Sequence, residues 1–294
     1  MSILKSNYYK KTAIPYLSFL VWSSIKGHLT PLKPANKRWI VLDPKKLQLW
    51  MIGHATLFIN FFGTFIVTDP VFGKNLTFHK RLVAPGFKIT DLPEIDYVIL
   101  SHAHPDHCHK KSLRNLSRRA KTIILPKNCS DLVRGMHYKK QIELSWQKFG
   151  QFPDLTIQAY KPVHWGQRYF WDRTRRGYNS YVLKKNGFSI FFCGDSAYGK
   201  FFKDIGRKNK IDLALLPIGT YNTPNLRRNH MGPADAMQAF SDLRAEHLVP
   251  IHWGNFRMSR EPAREPAEHL EKLGHQANLI RKIHILNNGE NYSL

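Results

Sequence analysis

Short apolar runs alternate along the chain with polar breaks marked by glycine, proline or asparagine, a pattern that suits strands joined by turns and helices. Residues 48–52, Thr56–Phe61 and Thr64–Thr68 read as three successive strands, the last two reversing at Gly63. Residues 97–100 and 122–125 are two more, on either side of a basic helical segment at 111–120. Leu155–Tyr160 alternates with a period of two. Residues 181–184 and 189–193 flank a turn at Asn186-Gly187, and apolar runs at 212–216 and 248–251 follow. Between these last two, Ala236, Met237, Ala239, Phe240 and Leu243 recur at helical spacing within Pro233–Leu243. Strands early and strands mixed with helices later predict an α/β fold whose sheets are covered by helices. Residues 55–69 and 180–195 share one plan of strand, glycine turn, strand and acid, which points to two related halves within one domain.

The N-terminus breaks this pattern. Lys5, Lys10 and Lys11 precede an apolar stretch at residues 13–22. A membrane-spanning helix needs roughly 20 apolar residues, about twice what is available. No small-x-small cleavage site follows Trp22, which argues against a cleaved leader. A basic segment carrying Tyr16, Phe19 and Trp22 suits an interfacial anchor on an anionic leaflet, and equally a first helix packed on the domain. Residues 24–46, with Pro31, Pro34 and Pro44, read as a linker or extended arm. The expected division is therefore 1–44 as N-terminal segment and linker, and 45–294 as the domain.

Charge changes the picture more than composition does. Lys and Arg number 45 against 21 Asp and Glu, a formal net charge of +24. Such a field concentrates polyanions, whether nucleic acid, anionic lipid or phosphorylated metabolites, and carries no information about fold. Cys108, Cys129 and Cys193 form no CxxC pair, so neither a disulfide framework nor a zinc ribbon is indicated and a cytoplasmic setting is expected.

The candidate chemistry begins directly after the run at 97–100, in Ser101-His-Ala-His-Pro-Asp-His107. Three histidines and an aspartate within six positions, in a turn favoured by Pro105, are donors for a borderline divalent cation: zinc first, with iron, manganese or cobalt as alternatives. Further donors stand where later strands open into loops, as active residues of α/β folds do. His164 follows Leu155–Tyr160, Asp195 follows 189–193, His252 follows 248–251, and Asp69 ends Thr64–Thr68 in the same way.

This series resembles the metallo-β-lactamase superfamily, and within it the branch of N-acylphosphatidylethanolamine-hydrolysing phospholipase D. Trp50-Met-Ile-Gly-His-Ala-Thr56, Thr68-Asp-Pro70, Gly194-Asp-Ser196, Pro217-Ile-Gly-Thr-Tyr221, His230-Met-Gly-Pro233 and Ile251-His-Trp-Gly254 carry that likeness, which spans roughly residues 45–275. The resemblance implies an αββα sandwich and two metal ions. One would be held by His102, His104 and His164, the other by Asp106, His107 and His252, with Asp195 bridging and Asp69 supporting from behind. It assigns Asp106 to orienting a water or accepting its proton, and His230 to a substrate phosphate oxygen, although a histidine before Pro233 also suits a helix cap. Tyr221 would lie near the substrate. In Gln167-Arg-Tyr-Phe-Trp-Asp-Arg-Thr-Arg-Arg176, arginines interleave with aromatics, so Arg168 and its neighbours could grip a phosphate headgroup, stack on bases, or form a cationic surface loop. Cys108-His109 departs from the branch, which commonly has an acid there.

A phosphodiesterase releasing phosphatidate and an alcohol from a glycerophospholipid is the leading expectation. The anionic membrane surface would be both docking site and substrate pool, with the protein peripheral on it through the N-terminal segment. A lactonase or a nuclease keeps the metals and changes the substrate; RNA would suit the charge, but no dedicated RNA-binding module is visible. A basic adaptor binding membrane or nucleic acid without turnover is the non-enzymatic alternative.

Overall fold

Two β-sheets face each other in the computed structural model, which describes residues 16–29, 31–36, 40–76 and 79–294. The first sheet contains β1 (Leu47–Gly53), β2 (Thr56–Phe61), β3 (Thr64–Thr68), β6 (Ile95–Ile99), β7 (Ala120–Pro126), β8 (Lys140–Leu144) and β15 (Asn291–Ser293). Its order is β15-β1-β2-β3-β6-β7-β8. A two-stranded hairpin, β4 (Asn75–Leu76) and β5 (His79–Lys80), stands apart from it. The second sheet, ordered β14-β13-β12-β11-β10-β9, is built from β9 (Phe149–Phe152), β10 (Leu155–Tyr160), β11 (Ser180–Lys185), β12 (Phe188–Phe192), β13 (Leu213–Pro217) and β14 (His247–Ile251).

The halves repeat one plan. Hairpin β2–β3 pairs antiparallel and hands on to the parallel strands β6, β7 and β8. Hairpin β11–β12 pairs antiparallel and hands on to parallel β13 and β14. Asp69 follows the first hairpin and Asp195 the second, so the similarity between residues 55–69 and 180–195 corresponds to equivalent places in the two sheets.

Alternation across the strands fills three apolar layers. Leu49, Leu57, Ile59 and Ile66 of the first sheet meet Ile157, Leu183, Phe192 and Leu215 of the second between the sheets. Their neighbours Trp50, Phe58, Val67 and Val98 face outward under Leu113 and Leu116 of α2 (Lys110–Leu116). On the other side Phe191, Ala214 and Leu248 lie under α3 (Phe201–Lys208), α5 (Pro233–Leu243) and α6 (Glu265–Gln276). A short turn of helix, α4 (Pro224–Arg227), precedes α5. Strands buried on both faces explain why β1, β2 and β13 are near-continuous apolar runs.

Helix α5 has the bounds its spacing predicts, with Pro233 in its first turn, Asp235 accepting from the Gly232 amide at 2.9 Å, and Arg244 left-handed at its end. The helix expected over 111–120 stops at Leu116, because Ala120 already pairs with Ile95 in the sheet. Edge strands β8, β9 and β15 were not legible, being short, polar or half-exposed.

Residues 24–46, expected as a linker or extended arm, begin as helix and continue as an arm. Helix α1 (Tyr16–Leu29) runs through the first six of them and ends shortly before Pro31. Lys33 then bridges to Val83, and the Asn36 amide donates to the Asn288 carbonyl at 2.8 Å, so this arm lies on the domain. Phe19 and Ser23 are buried, with Ser23 donating to the Arg257 carbonyl, while Val21, Trp22 and Ile25 stay exposed. The helix thus packs on the domain and still presents an apolar ridge. Lys5, Lys10, Lys11 and residues 13–15 of the apolar stretch lie outside the described residues. No helix among the described residues is long and apolar enough to cross a membrane.

Candidate metal centre

Six loops at one end of the sandwich converge. Five leave strand ends: β3 delivers Asp69, β6 the segment 101–107, β10 His164, β12 Asp195 and β14 His252. The sixth is the tight β1–β2 turn carrying His54, a residue of the 50–56 motif outside the expected donor set. Gly53 makes that turn at φ +135, and a Cβ there would come within 2.5 Å of Asn255 Oδ1, so only glycine fits. His54, Asp69 and His252 all hold positive φ angles (64, 31 and 61), a concentration of strained backbone at one site.

The hydrogen bonds behind the cluster decide which ring nitrogens face inward. Asp69 accepts from the Ser101 amide (2.7 Å), from the Ser101 hydroxyl (2.6 Å) and from His107 Nδ1 (2.6 Å). With its proton committed to Asp69, Ser101 Oγ accepts from His102 Nδ1 at 2.8 Å. His164 Nδ1 donates to the Asn229 carbonyl at 3.0 Å. With Nδ1 engaged behind the cluster, His102, His107 and His164 each turn Nε2 toward the centre, the atom that would meet a cation.

On one side His104 Nδ1 lies 2.8 Å from His102 Nε2 and 3.2 Å from His164 Nε2. On the other, Asp106 Oδ2 and Asp195 Oδ2 stand 3.1–3.4 Å from the Nε2 atoms of His107 and His252. Donors at 2.0–2.1 Å from a tetrahedral cation are about 3.3 Å apart, the spacing of most of these pairs. Asp195 Oδ2 reaches both sides, lying 3.9 Å from His102 Nε2 and from His164 Nε2. Its other oxygen, Oδ1, is buried with no hydrogen-bond partner. Inward ring nitrogens, an orphaned buried carboxylate oxygen and this spacing fit two divalent cations held side by side.

Electrostatics agree. Burial keeps His102 and His164 well below the usual imidazole range, with neighbouring histidines adding to it, and burial lowers His104 to about 4, so these three are neutral donors. Burial alone would raise the carboxyls of Asp106 and Asp195, but the imidazoles around them outweigh it and hold both well below their ordinary range. Burial opposes a charge on His252, yet Asp195 and Asp106 raise it to about 9, and they act on His107 in the same direction. The pair of carboxylates thus favours added positive charge at this spot.

The remaining expected residues divide. His230 Nδ1 donates to the Leu226 carbonyl at 2.9 Å, and its Nε2 lies 3.4 Å from Asp195 Oδ2, which places it at the cluster. Tyr221, expected near substrate, donates its hydroxyl to Glu265 on α6 and packs its ring where a Cβ of Gly232 would lie, beside the loop carrying His230. The Arg168 guanidinium donates to the Cys108 carbonyl at 2.7 Å and braces the metal-binding loop. His109 stands at the N-cap of α2, its Nδ1 2.7 Å from Ser112 Oγ and accepting from the Ser112 amide at 3.3 Å. His54 Nε2 lies 3.2 Å from Asp106 Oδ2. All three cysteines are buried and free.

Comparison with known proteins gives the same direction. The model of the beta-lactamase superfamily domain matches residues 64–253. An uncharacterized protein of Mycobacterium tuberculosis is 30% identical over 273 residues, covering 86% of this chain and 72% of that one. N-acyl-phosphatidylethanolamine-hydrolyzing phospholipase D 1 of Caenorhabditis elegans is 30% identical over 243 residues, 76% of this chain and 68% of the relative. A metallo hydrolase from the archaeon Ignicoccus hospitalis shares the fold, with a TM-score of 0.66 at 23% identity over 85% of this chain and 98% of that one.

Proposed function

The chain belongs to the metallo-β-lactamase superfamily, in the branch of the N-acylphosphatidylethanolamine-hydrolysing phospholipases D, and from that premise we propose that this metal-dependent hydrolase is a phosphodiesterase of phospholipase D type. Its substrate is N-acylphosphatidylethanolamine or a related phospholipid, cleaved on the headgroup side to phosphatidate and an alcohol. The observation that carries the reading is the donor set itself, two adjacent groups with Asp195 Oδ2 within 3.9 Å of both, in a chain 30% identical to the nematode enzyme.

His102, His104 and His164 would hold one cation, Asp106, His107 and His252 the other, and Asp195 would join them. When bound, such a pair supplies Lewis acidity that lowers the pKa of water and neutralises charge on phosphate oxygens; zinc suits the donors best, with iron or manganese as alternatives. The rest is done by side chains. Asp106 is 15% exposed where Asp195 is 2%, so Asp106 is the carboxylate able to meet an incoming water, orient it and take its proton. His54 and His252 hold its Oδ2 in place. His230, fixed through Nδ1, presents Nε2; in its charged form that atom donates to a phosphate oxygen of the substrate. Asp69, through Ser101 and His107, keeps both donor groups in the required tautomers.

The net charge of +24 and the apolar ridge of α1 favour an anionic membrane surface as the partner and a peripheral location on its cytoplasmic side. Mass spectrometry of products from zinc-loaded protein and vesicles containing N-acylphosphatidylethanolamine tests the reading, with Asp106→Ala as control. Phosphatidate from the wild type alone supports it. A protein holding two metals that releases no phosphatidate refutes the substrate while leaving the fold intact.

A further inference from the structure

The loop following His164 exposes more apolar surface than a water-facing loop accounts for. Phe170 is 85% exposed and Trp171 is 59% exposed, side by side with their rings 4.7 Å apart. Trp171 stacks on Tyr169 at 4.8 Å, and Lys110 donates to the Tyr169 hydroxyl at 2.9 Å. These aromatics are held out by a built frame. Buried Asp172 accepts from the amides of Arg168 and Tyr169, both at 2.8 Å, and from Arg176 Nε. Arg176 in turn reaches both carboxylate oxygens of Asp131 and the Asn128 carbonyl. This charged ladder ties both ends of the turn that carries the two rings to the domain.

The charge around the tip is of one sign. Asp172 and Asp131 are both taken up by Arg176, whereas Arg173 and Arg175 are exposed and form no ion pair among the described residues. At its base the loop adjoins the metal centre. Trp165 lies 4.5 Å from the rings of both His104 and His164, and it lines a cavity of about 400 Å³ with Trp146, Tyr178, Lys127 and Arg175.

We infer that the tip formed by Phe170 and Trp171, with Arg173 and Arg175 beside it, is a membrane-docking wedge that inserts into the interface of an anionic phospholipid leaflet. Aromatic rings that bury an apolar body and keep a polar edge wet settle at the headgroup level, and arginines beside them meet anionic phosphates. Docked in this way, the loop carries the cavity and the metal centre behind Trp165 onto the headgroups. The inference rests on the phospholipid reading for its purpose, and the two are tested separately.

The full-length, metal-loaded protein is floated with vesicles of phosphatidylcholine alone and of phosphatidylcholine with about one-third phosphatidylglycerol, a content that sets a strongly negative surface potential. The variants are Phe170→Ser/Trp171→Ser, which keeps every charge, and Arg173→Gln/Arg175→Gln, which keeps the rings. The expected result is binding of the wild type to the anionic vesicles and a loss of about tenfold or more in partitioning for the serine pair, the scale of withdrawing two apolar rings from the interface. The glutamine pair should lose its preference for anionic lipid. Hydrolysis of a short-chain, monomeric phosphodiester by the serine pair should match the wild type, and unchanged thermal midpoints exclude misfolding. Equal vesicle binding by the wild type and the serine pair overturns the wedge. So does a wild type that binds a single-stranded RNA probe through these rings and no vesicle. Vesicle binding lost in the serine pair, with no phosphodiester hydrolysis by either protein, leaves the wedge standing and removes the phospholipase reading.

Discussion

Replacing Asp69 by Asn changes one atom and should disarm both halves of the metal centre. Asp69 is an acceptor three times, from the Ser101 amide, the Ser101 hydroxyl and His107 Nδ1. Asn keeps one acceptor oxygen. If that oxygen stays with the Ser101 amide, the new NH2 group faces His107 Nδ1 and Ser101 Oγ. His107 then accepts at Nδ1 and carries its proton on Nε2, pointing at Asp195 and Asp106. Ser101, now receiving a hydrogen bond, turns its own proton toward His102 Nδ1, which moves the His102 proton onto Nε2. One substitution therefore removes an inward lone pair from each donor group. Partners behind metal ligands typically contribute 10–100-fold in affinity or activity; two ligands at once place Asp69→Asn near about 100-fold, or about 2.8 kcal/mol. Metal content after dialysis against a graded chelator series measures it, beside hydrolysis rates. Asp69→Asn retaining both metals at wild-type chelator concentrations would refute the tautomer argument, and Ser101→Ala should show a smaller loss confined to the His102 side.

Other consequences follow from single contacts. His54→Ala, which frees Asp106 Oδ2, should lower the hydrolysis rate about 10–100-fold in a kinetic assay while the protein stays folded. Gly194→Ala puts a Cβ 2.5 Å from Ser101 Cβ at φ +63, so both the thermal midpoint and metal content should fall; an unchanged midpoint would mean the two loops are not in contact. Phe192→Ala opens the layer between the sheets and should cost about 3–5 kcal/mol in urea unfolding. At the far end of β14, burial and then His247 lower His284 to about 4 from its ordinary 6.5. The unfolded chain binds a proton there that the native state refuses, so this site's contribution to stability is intact above about pH 6.5 and declines as pH falls toward 4. His284→Phe keeps a ring in the place that stacks 3.8 Å from Tyr292 and should flatten the fall in the urea midpoint between pH 7 and pH 5; an unaltered slope would exclude His284 as its source.

Much of the centre was readable because its parts are local. His102, His104, Asp106 and His107 sit within six positions, and His164, Asp195 and His252 each follow an apolar run, so chemical type and strand ends sufficed. The seven donors do gather in space. Helix-covered sheets were likewise prefigured by strands early and strands mixed with helices later, while the αββα layering came with the resemblance. What local pattern could not supply was pairing across distance. His54 also follows an apolar run, 48–52, but its position there reads as a hairpin turn, and its link to the site is Asp106, 52 residues away. Tyr221 belongs to a motif close to His230, yet its hydroxyl goes to Glu265, 44 residues on, once α6 packs beside it. The segment 24–29 lacks helical signals strong enough to outweigh nearby prolines, and α1 forms there with Phe19 and Ser23 buried against the domain. Covalent spacing determines which donors are near one another along the chain and how each strand faces its neighbours. Only the closed sandwich determines which lone pairs converge on one point, because that depends on six loops meeting and on the buried hydrogen bonds behind them.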